Sequence, residues 1–370
     1  MVRAIRYIIF FLNILCIIPF LATCLIPFLS AQQWWFIGLM GMMFPILFIG
    51  TILFLILWIF IKPLFSLVNL IVLLIGVQQI IVMFAFNGNH VFNINKKAAT
   101  IRILTWNVQY MEGVANNGKD RIQHREDILK YLTSQHADII CLQEYSNHNS
   151  LDTLQTNEQS ILHRTAFNYS YFPSRDSSIK KTFSIGSIIF SRYPIVDSGY
   201  IKYPNSKDKL LFVDLVKGVD TFRLYTTHLF SFKLGNKDYE AIKNLKEEQE
   251  INVDASKSLY SKLKIGLKGR AVQADVVHNA LKQSPYPSIV CGDFNDVPNS
   301  FTYFRIKGNM QDAFLKKGFG IGRTFRNISP TLRIDYILAD TSFSIQQCQV
   351  GDIKISDHFP VIADVSINNK

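Results

Sequence analysis

No aspartate or glutamate occurs in the first 95 residues, and Arg3, Arg6 and Lys62 are the only lysines or arginines there. A segment so poor in charge reads as a membrane region. A hydrocarbon core of about 30 Å takes roughly 20 apolar helical residues, and three stretches are long enough: 7–29, 34–61 and 64–86. They are separated by Ser30-Ala-Gln-Gln, flanked by the interfacial pair Trp34-Trp35, and by Lys62-Pro63. A cleaved signal peptide accounts for at most the first stretch. A re-entrant hairpin of the second and third is the alternative, but their length favours two full spans.

Asn13, Asn69, Gln78 and Gln79 are the notable polar side chains inside these stretches. None is ionisable, which argues against a transporter or channel. Arg3, Arg6 and Lys62 belong on the cytoplasmic side, so three spans place everything beyond them outside. Lys96, Lys97 and Arg102 oppose this weakly, because long domains translocate largely regardless of charge.

All 28 acidic residues and all but three of the 39 basic ones lie beyond residue 95. After a short polar linker, 87–97, residues 98–370 suffice for one large α/β domain, so the chain divides into an anchor, 1–95, and a globular domain, 98–370. Short apolar β-prone runs predict strands at 101–106, 139–142, 187–190, 210–216, 222–227, 288–291, 334–338 and 361–365. Helical patterns fit 123–134, much of 237–264, and 271–283. Cys16 and Cys24 fall in the first span and Cys141, Cys291 and Cys348 in apolar runs, as expected of buried thiols and not of a disulfide framework or a zinc site.

Two motifs carry chemistry: Cys291-Gly-Asp-Phe-Asn-Asp-Val-Pro and Ile355-Ser-Asp-His-Phe-Pro. Each ends an apolar run abruptly, so Asp293, Asn295, Asp357 and His358 emerge where a rigid strand becomes a loop, a common place for binding and catalytic groups. Following the other strand ends adds Asn107 after Ile103-Leu-Thr-Trp, Glu144 after Ile140-Cys-Leu-Gln, His228 after Leu224-Tyr-Thr-Thr, and Asp335 within Arg333-Ile-Asp-Tyr. Structural roles compete for three of them: an ion pair with Arg333 for Asp335, a helix cap for Glu144, and a satisfied core histidine for His228.

These residues, in this order, resemble the endonuclease/exonuclease/phosphatase superfamily of divalent-metal phosphoesterases, and Ile185-Gly-Ser-Ile-Ile-Phe-Ser-Arg-Tyr-Pro resembles the family strand ending in Ser-Arg. The resemblance implies a four-layer α/β sandwich, two mixed β-sheets flanked by helices, here preceded by three transmembrane helices. It implies Glu144, aided by Asn107 and Asp357, as ligands of Mg²⁺ or Mn²⁺, cations that prefer hard oxygen donors. It also implies a catalytic group of His358 oriented by Asp335, Asp293 at the attacking water, and Asn295 and His228 on phosphoryl oxygens. Either His358 or Asp293 is the general base.

The resemblance implies a phosphodiester substrate, of nucleic acid or of a phospholipid headgroup. The basic domain favours polyanions or anionic membrane surfaces alike. A nuclease could track a phosphate backbone with Lys180, Lys181, Lys202, Lys207 and Lys209 and stack bases on Tyr171, Phe172 and Tyr193. Tethering to a bilayer favours lipid, and Thr226-Thr-His-Leu resembles the matching segment of sphingomyelinase-like members. A non-catalytic membrane binding protein on the same scaffold is a further alternative, against which the complete set of polar groups argues. Besides the bilayer and substrate, no obligate protein partner is expected.

Overall fold

The computed structural model describes residues 2–88, 91–97, 99–112, 118–148, 156–173, 183–246 and 253–368. Its helices are α1 (Val2–Thr23), α2 (Trp35–Met42), α3 (Phe44–Ile61), α4 (Pro63–Ile75), α5 (Val77–Met83), α6 (Gly118–Ser134), α7 (Asn157–Arg164), α8 (Asn236–Lys246), α9 (Val253–Lys282), α10 (Phe301–Lys307) and α11 (Ala313–Lys317). The principal strands are β1 (Ile101–Asn107), β2 (Ile139–His148), β3 (Tyr169–Tyr171), β4 (Phe183–Ser191), β5 (Ile195–Lys202), β6 (Lys209–Lys217), β7 (Asp220–His228), β8 (Ser288–Asp293), β9 (Gln311–Asp312), β10 (Asp335–Ala339), β11 (Phe343–Val350) and β12 (Val361–Ile367). Contacts divide the chain into two units: 1–84 with 232–274 and 296–306, and 85–231 with 275–295 and 307–370.

In the first unit the apolar stretches break more often than hydropathy predicts. The second is two helices, α2 and α3, parted at Met43 because Pro45 lacks an N–H and belongs in a helix's first turn. The third bends by 60° between α4 and α5, at Gly76. Two helices, Arg3–Thr23 and Phe44–Ile61, are long and apolar enough to cross a membrane, and a third span exists only if the bent pair counts as one. The expected three spans are therefore available by length and composition when the bent pair counts as one. Phe20, Phe44, Leu47, Val72 and Met83 form the bundle core.

Two buried amides of this unit satisfy each other. Asn13 and Asn69 exchange hydrogen bonds of 2.9 and 3.1 Å, and the Trp58 indole donates to Asn13 Oδ1 at 2.9 Å. An unpaired amide in hydrocarbon costs several kcal/mol, so this knot keeps the three helices in register. The helix α2 packs on α9 instead of extending α3: the Trp35 ring meets Tyr260 edge-on at 5.1 Å, and a β-carbon at Gly38 would lie 3.2 Å from the Leu267 side chain.

The second unit holds two six-stranded sheets, ordered β11-β12-β1-β2-β4-β3 and β9-β10-β8-β7-β6-β5. Each contains one parallel pair, β1 with β2 and β7 with β8, among antiparallel neighbours. Alternation along β1 explains the layering. Ile101 and Ile103 join Val213, Leu224, Ile289 and Ile337 of the other sheet in the inter-sheet core, while Leu104 and Trp106 meet Ile128, Leu129 and Leu132 of α6. On the far side, Tyr225 donates to the Ala280 carbonyl at the end of α9 (3.0 Å). Helix, sheet, sheet, helix is the expected four-layer sandwich.

All eight expected strands are present. The four additional strands, β3, β5, β9 and β11, are the sheet edges: β3 and β9 are very short, whereas β5 is largely exposed and β11 carries a bulge between Ile345 and Gln347. Neither offers the continuous apolar run that marks a buried strand.

The described residues of the 87–97 linker, 87–88 and 91–97, are held at several points. Ala85 and Phe86 pair with Gly320 and Phe319, and the Asn87 amide donates to the carbonyls of Leu315 (2.9 Å) and Gly318 (3.0 Å). Arg102, fully buried, donates to the carbonyls of Asn93 and Ile94 and makes a two-pronged pair with Asp364 at 2.7 and 2.9 Å. Arg102→Leu is therefore expected to destabilise the protein by about 3–5 kcal/mol, because Asp364 would stay buried without its countercharge. Thermal unfolding checks this, and a loss within the range of ordinary surface substitutions, about 0.5 kcal/mol, would contradict it.

Candidate active site

The carboxyl ends of the two parallel strand pairs supply four polar side chains. Asn107 closes β1, Glu144 lies late in β2, and His228 and Asp293 are register partners at the ends of β7 and β8. Gly292 makes the last pairing possible. Its φ of +134° is open to glycine, and a β-carbon there would run into the Thr227 carbonyl.

Asp293 is the hub. Its Oδ2 accepts from the Asn107 amide (3.1 Å), and its Oδ1 accepts from the Asn295 backbone N–H (2.8 Å). The same Oδ2 lies 3.7 Å from Nε2 of His228 and 3.7 Å from Nε2 of His358. Asn295, at φ +52°, donates its amide to the Leu229 carbonyl at 3.0 Å, so one of its N–H groups is committed.

Glu144 owes its direction to an irregularity. The β2–β4 register shifts between Leu142 and Tyr145, and Glu144 adopts φ +48°, a bulge that turns its carboxylate away from the ladder. Its Oε1 is 3.6 Å from His228 Nε2. Lying within a strand, Glu144 caps no helix.

His358 is held from several sides. Asp335 meets its Nδ1 at 2.9 and 3.2 Å, leaving Nε2 toward Asp293. Asp335 is set by Thr324, whose hydroxyl oxygen accepts the N–H groups of Ile334 (2.9 Å) and Asp335 (3.1 Å). The Phe325 ring packs on the imidazole with centroids 4.9 Å apart, and the Trp106 indole donates to the His358 carbonyl at 2.8 Å. Arg333, the competing partner for Asp335, reaches Asp312 at 2.6 Å. Ser356 ties the Asp357 loop to β1 by donating to the Asn107 carbonyl (2.8 Å).

Motif reading missed Asp208. It sits in the turn before β6, 3.7 Å from His228 Nδ1, and its only signal was an acidic residue between Lys207 and Lys209. Thr324, Phe325 and Ser356 were equally silent, since each acts by orienting a neighbour. The aromatics weighed for base stacking are half-buried: Tyr171 and Tyr193 pack against the inter-sheet core, and Phe172 meets Tyr145 edge-on at 5.3 Å. Lys180 and Lys181 lie outside the described residues.

Five carboxylates, Glu144, Asp208, Asp293, Asp335 and Asp357, thus surround two imidazoles. Burial disfavours charge on both rings, yet the carboxylates outweigh it: Asp335 and Asp293 push His358 up to about 10, and Asp208, with Asp293 and Glu144, pushes His228 up to about 9. Burial pushes Asp293 and Asp357 upward, and neighbouring carboxylates add to it. His228 Nε2 is buried without a hydrogen-bond partner among the described residues. Excess negative charge and hard oxygen donors fit a divalent cation, and the orphaned Nε2 of His228 fits an anionic oxygen.

Among the described residues, Asp293, Asp335 and His358 form a donor group with ligand atoms within 4.8 Å of one another. The hydrogen bond between Asp335 and His358 already accounts for two of the three.

A family model described as the endonuclease/exonuclease/phosphatase family matches residues 104–358, a span that contains all eight predicted site residues. A second model, described as a domain of unknown function, matches residues 6–83. No curated protein matches the chain. Among solved structures, an endonuclease/exonuclease/phosphatase from Beutenbergia cavernae DSM 12333 aligns at 18% identity with a TM-score of 0.52, over 73% of this chain and 72% of that one. A family protein from Bacteroides thetaiotaomicron aligns at 18% identity and TM-score 0.50 over 74% of this chain and 100% of that one. Humanised D. rerio TDP2 carrying 14 mutations gives 17% identity and TM-score 0.50 over 73% and 100%. At such identities the likeness concerns the fold.

Proposed function

Because the chain belongs to the endonuclease/exonuclease/phosphatase family of metal-dependent phosphoesterases, we propose that it is a membrane-anchored phosphodiesterase, with its anchor in 1–95 and its catalytic domain in 98–370. The carrying observation is Asp293 Oδ2, 3.7 Å from Nε2 of both His228 and His358, with the Asn107 amide on the same oxygen.

Glu144, Asn107 and Asp357 would hold Mg²⁺ or Mn²⁺, which when bound polarises the phosphoryl group and offsets its developing charge. Asp335 keeps the proton on His358 Nδ1, so that Nε2 faces the reaction. Asp293 and His358 flank the attacking water: its oxygen forms the new P–O bond, one of the pair takes its proton, and the departing ester oxygen is protonated as the alcohol. His228, steadied by Asp208, and the free N–H of Asn295 bind phosphoryl oxygens.

Contacts within the first unit support three spans. The helix α2 lies between α1 and α3 in sequence, hence on the side where α1 emerges, and Trp35 touches Tyr260 of α9. Chain beyond α5 can reach that side only if the bent α4–α5 pair crosses. With Arg3, Arg6 and Lys62 inside, that side is extracytoplasmic. Protease added to intact cells is expected to remove a C-terminal tag, whereas protection until lysis would reverse the orientation.

A diester already in the same membrane reaches a tethered enzyme at high effective concentration, which favours a phospholipid headgroup over soluble nucleic acid. Deleting residues 1–95 would not isolate this effect, since 232–274 and 296–306 pack with 1–84. The test uses the full chain with Mg²⁺ or Mn²⁺, profiling sphingomyelin and phosphoinositides in its own vesicles against plasmid DNA, abasic DNA and a generic diester. Preference for DNA, falling steeply with salt, would overturn the lipid choice.

A further inference from the structure

The helix α9 has a face that the proposed chemistry leaves unused. Lys257, Tyr260, Lys264 and Ile265 follow one another at helical spacing and all are exposed, Tyr260 at 53% and Ile265 at 56%. The stripe continues onto α2, where Trp35 meets the Tyr260 ring and the Lys264 ammonium lies 5.4 Å from the Trp35 ring centroid. Trp34 beside it is 44% exposed.

Connectivity fixes the level of this surface. Only Met43 separates α2 from α3, whose Ile46, Ile49 and Leu53 are exposed apolar side chains with a bilayer as their natural solvent. A patch joined so closely to the head of a span lies at headgroup depth. Large amphipathic rings prefer that layer, and lysines there meet lipid phosphates while their stems stay against apolar matter.

We propose that the α2–α9 surface binds anionic phospholipid headgroups, so that α9 lies along the membrane it faces. This rests on the membrane-anchor reading. The rings and Ile265 enter the headgroup boundary, and Lys257 and Lys264 select negative charge. Because 257–265 lies between His228 and Asp293 in sequence, one surface anchors the segment that joins two site residues.

The test places the photoreactive residue p-benzoylphenylalanine at position 260 of the full chain, reconstituted in phosphatidylcholine vesicles with a minority of phosphatidylglycerol. Position 53, in α3, and position 219, in the exposed β6–β7 turn, serve as controls. Lipid adducts are expected at 53 and 260 and not at 219, with phosphatidylglycerol enriched at 260. Lys257→Glu with Lys264→Glu is expected to cut that enrichment roughly tenfold, given the contribution of each lysine near an anionic surface, and to leave position 53 unchanged. Adducts at 53 without adducts at 260, or a phosphatidylglycerol share at 260 no greater than at 53, would overturn the proposal. Absence of adducts at 53 would instead reject the anchor.

Discussion

His358→Ala and Asp293→Asn are each expected to lower kcat by roughly 10²–10⁴-fold, the range for a positioned proton-transfer group. The two imidazole nitrogens that face Asp293 Oδ2 at 3.7 Å do not contribute equally. His358 has Asp335 on its other nitrogen at hydrogen-bonding distance, whereas His228 has Asp208 only at 3.7 Å. Loss of His358 should therefore fall on kcat. His228→Ala should be milder, because Asn295 continues to serve the phosphoryl oxygens. Steady-state kinetics on a generic diester, with melting temperature followed in parallel, decides the matter. An activity loss that merely tracked unfolding would make these residues structural.

Glu144→Ala is expected to raise the Mg²⁺ or Mn²⁺ concentration needed for half-maximal activity by at least the 10–100-fold that outer-shell changes alone typically cost. Calorimetric titration of the metal into the full chain reads the same loss as binding. The result also separates two cation positions. If Glu144→Ala leaves metal binding intact while Asp335→Asn abolishes it, the cation sits in the Asp293, Asp335 and His358 group and the assignment to Glu144, Asn107 and Asp357 is wrong.

Strand ends were readable because buried strands announce themselves: 101–106 and 288–291 are short, mostly apolar, β-prone runs, and the polar residue beyond each one, Asn107 or Asp293, stands where the run leaves the sheet. The edge strand β5 was invisible for the opposite reason, since Ile195-Val-Asp-Ser-Gly-Tyr-Ile-Lys buries too little to show a pattern. The spans were legible as apolar mass but not as helices. Hydropathy sums over Pro45 and Gly76, and only backbone geometry reveals the break and the 60° bend. Asp208 was illegible because its meaning is a distance to His228, which no local spacing encodes. The linker shows the same limit: its polar composition gives no sign that Asn87 is held by the Leu315 carbonyl or that Asn93 and Ile94 are held by Arg102.

The most direct measurement is hydrolysis of a generic phosphodiester by the purified full chain in excess chelator, followed by restoration of Mg²⁺ or Mn²⁺. The five-carboxylate site predicts no turnover in chelator and recovery with either cation, in the wild type and not in Glu144→Ala at the same metal concentration. Full activity in excess chelator would contradict a metal-dependent phosphodiesterase.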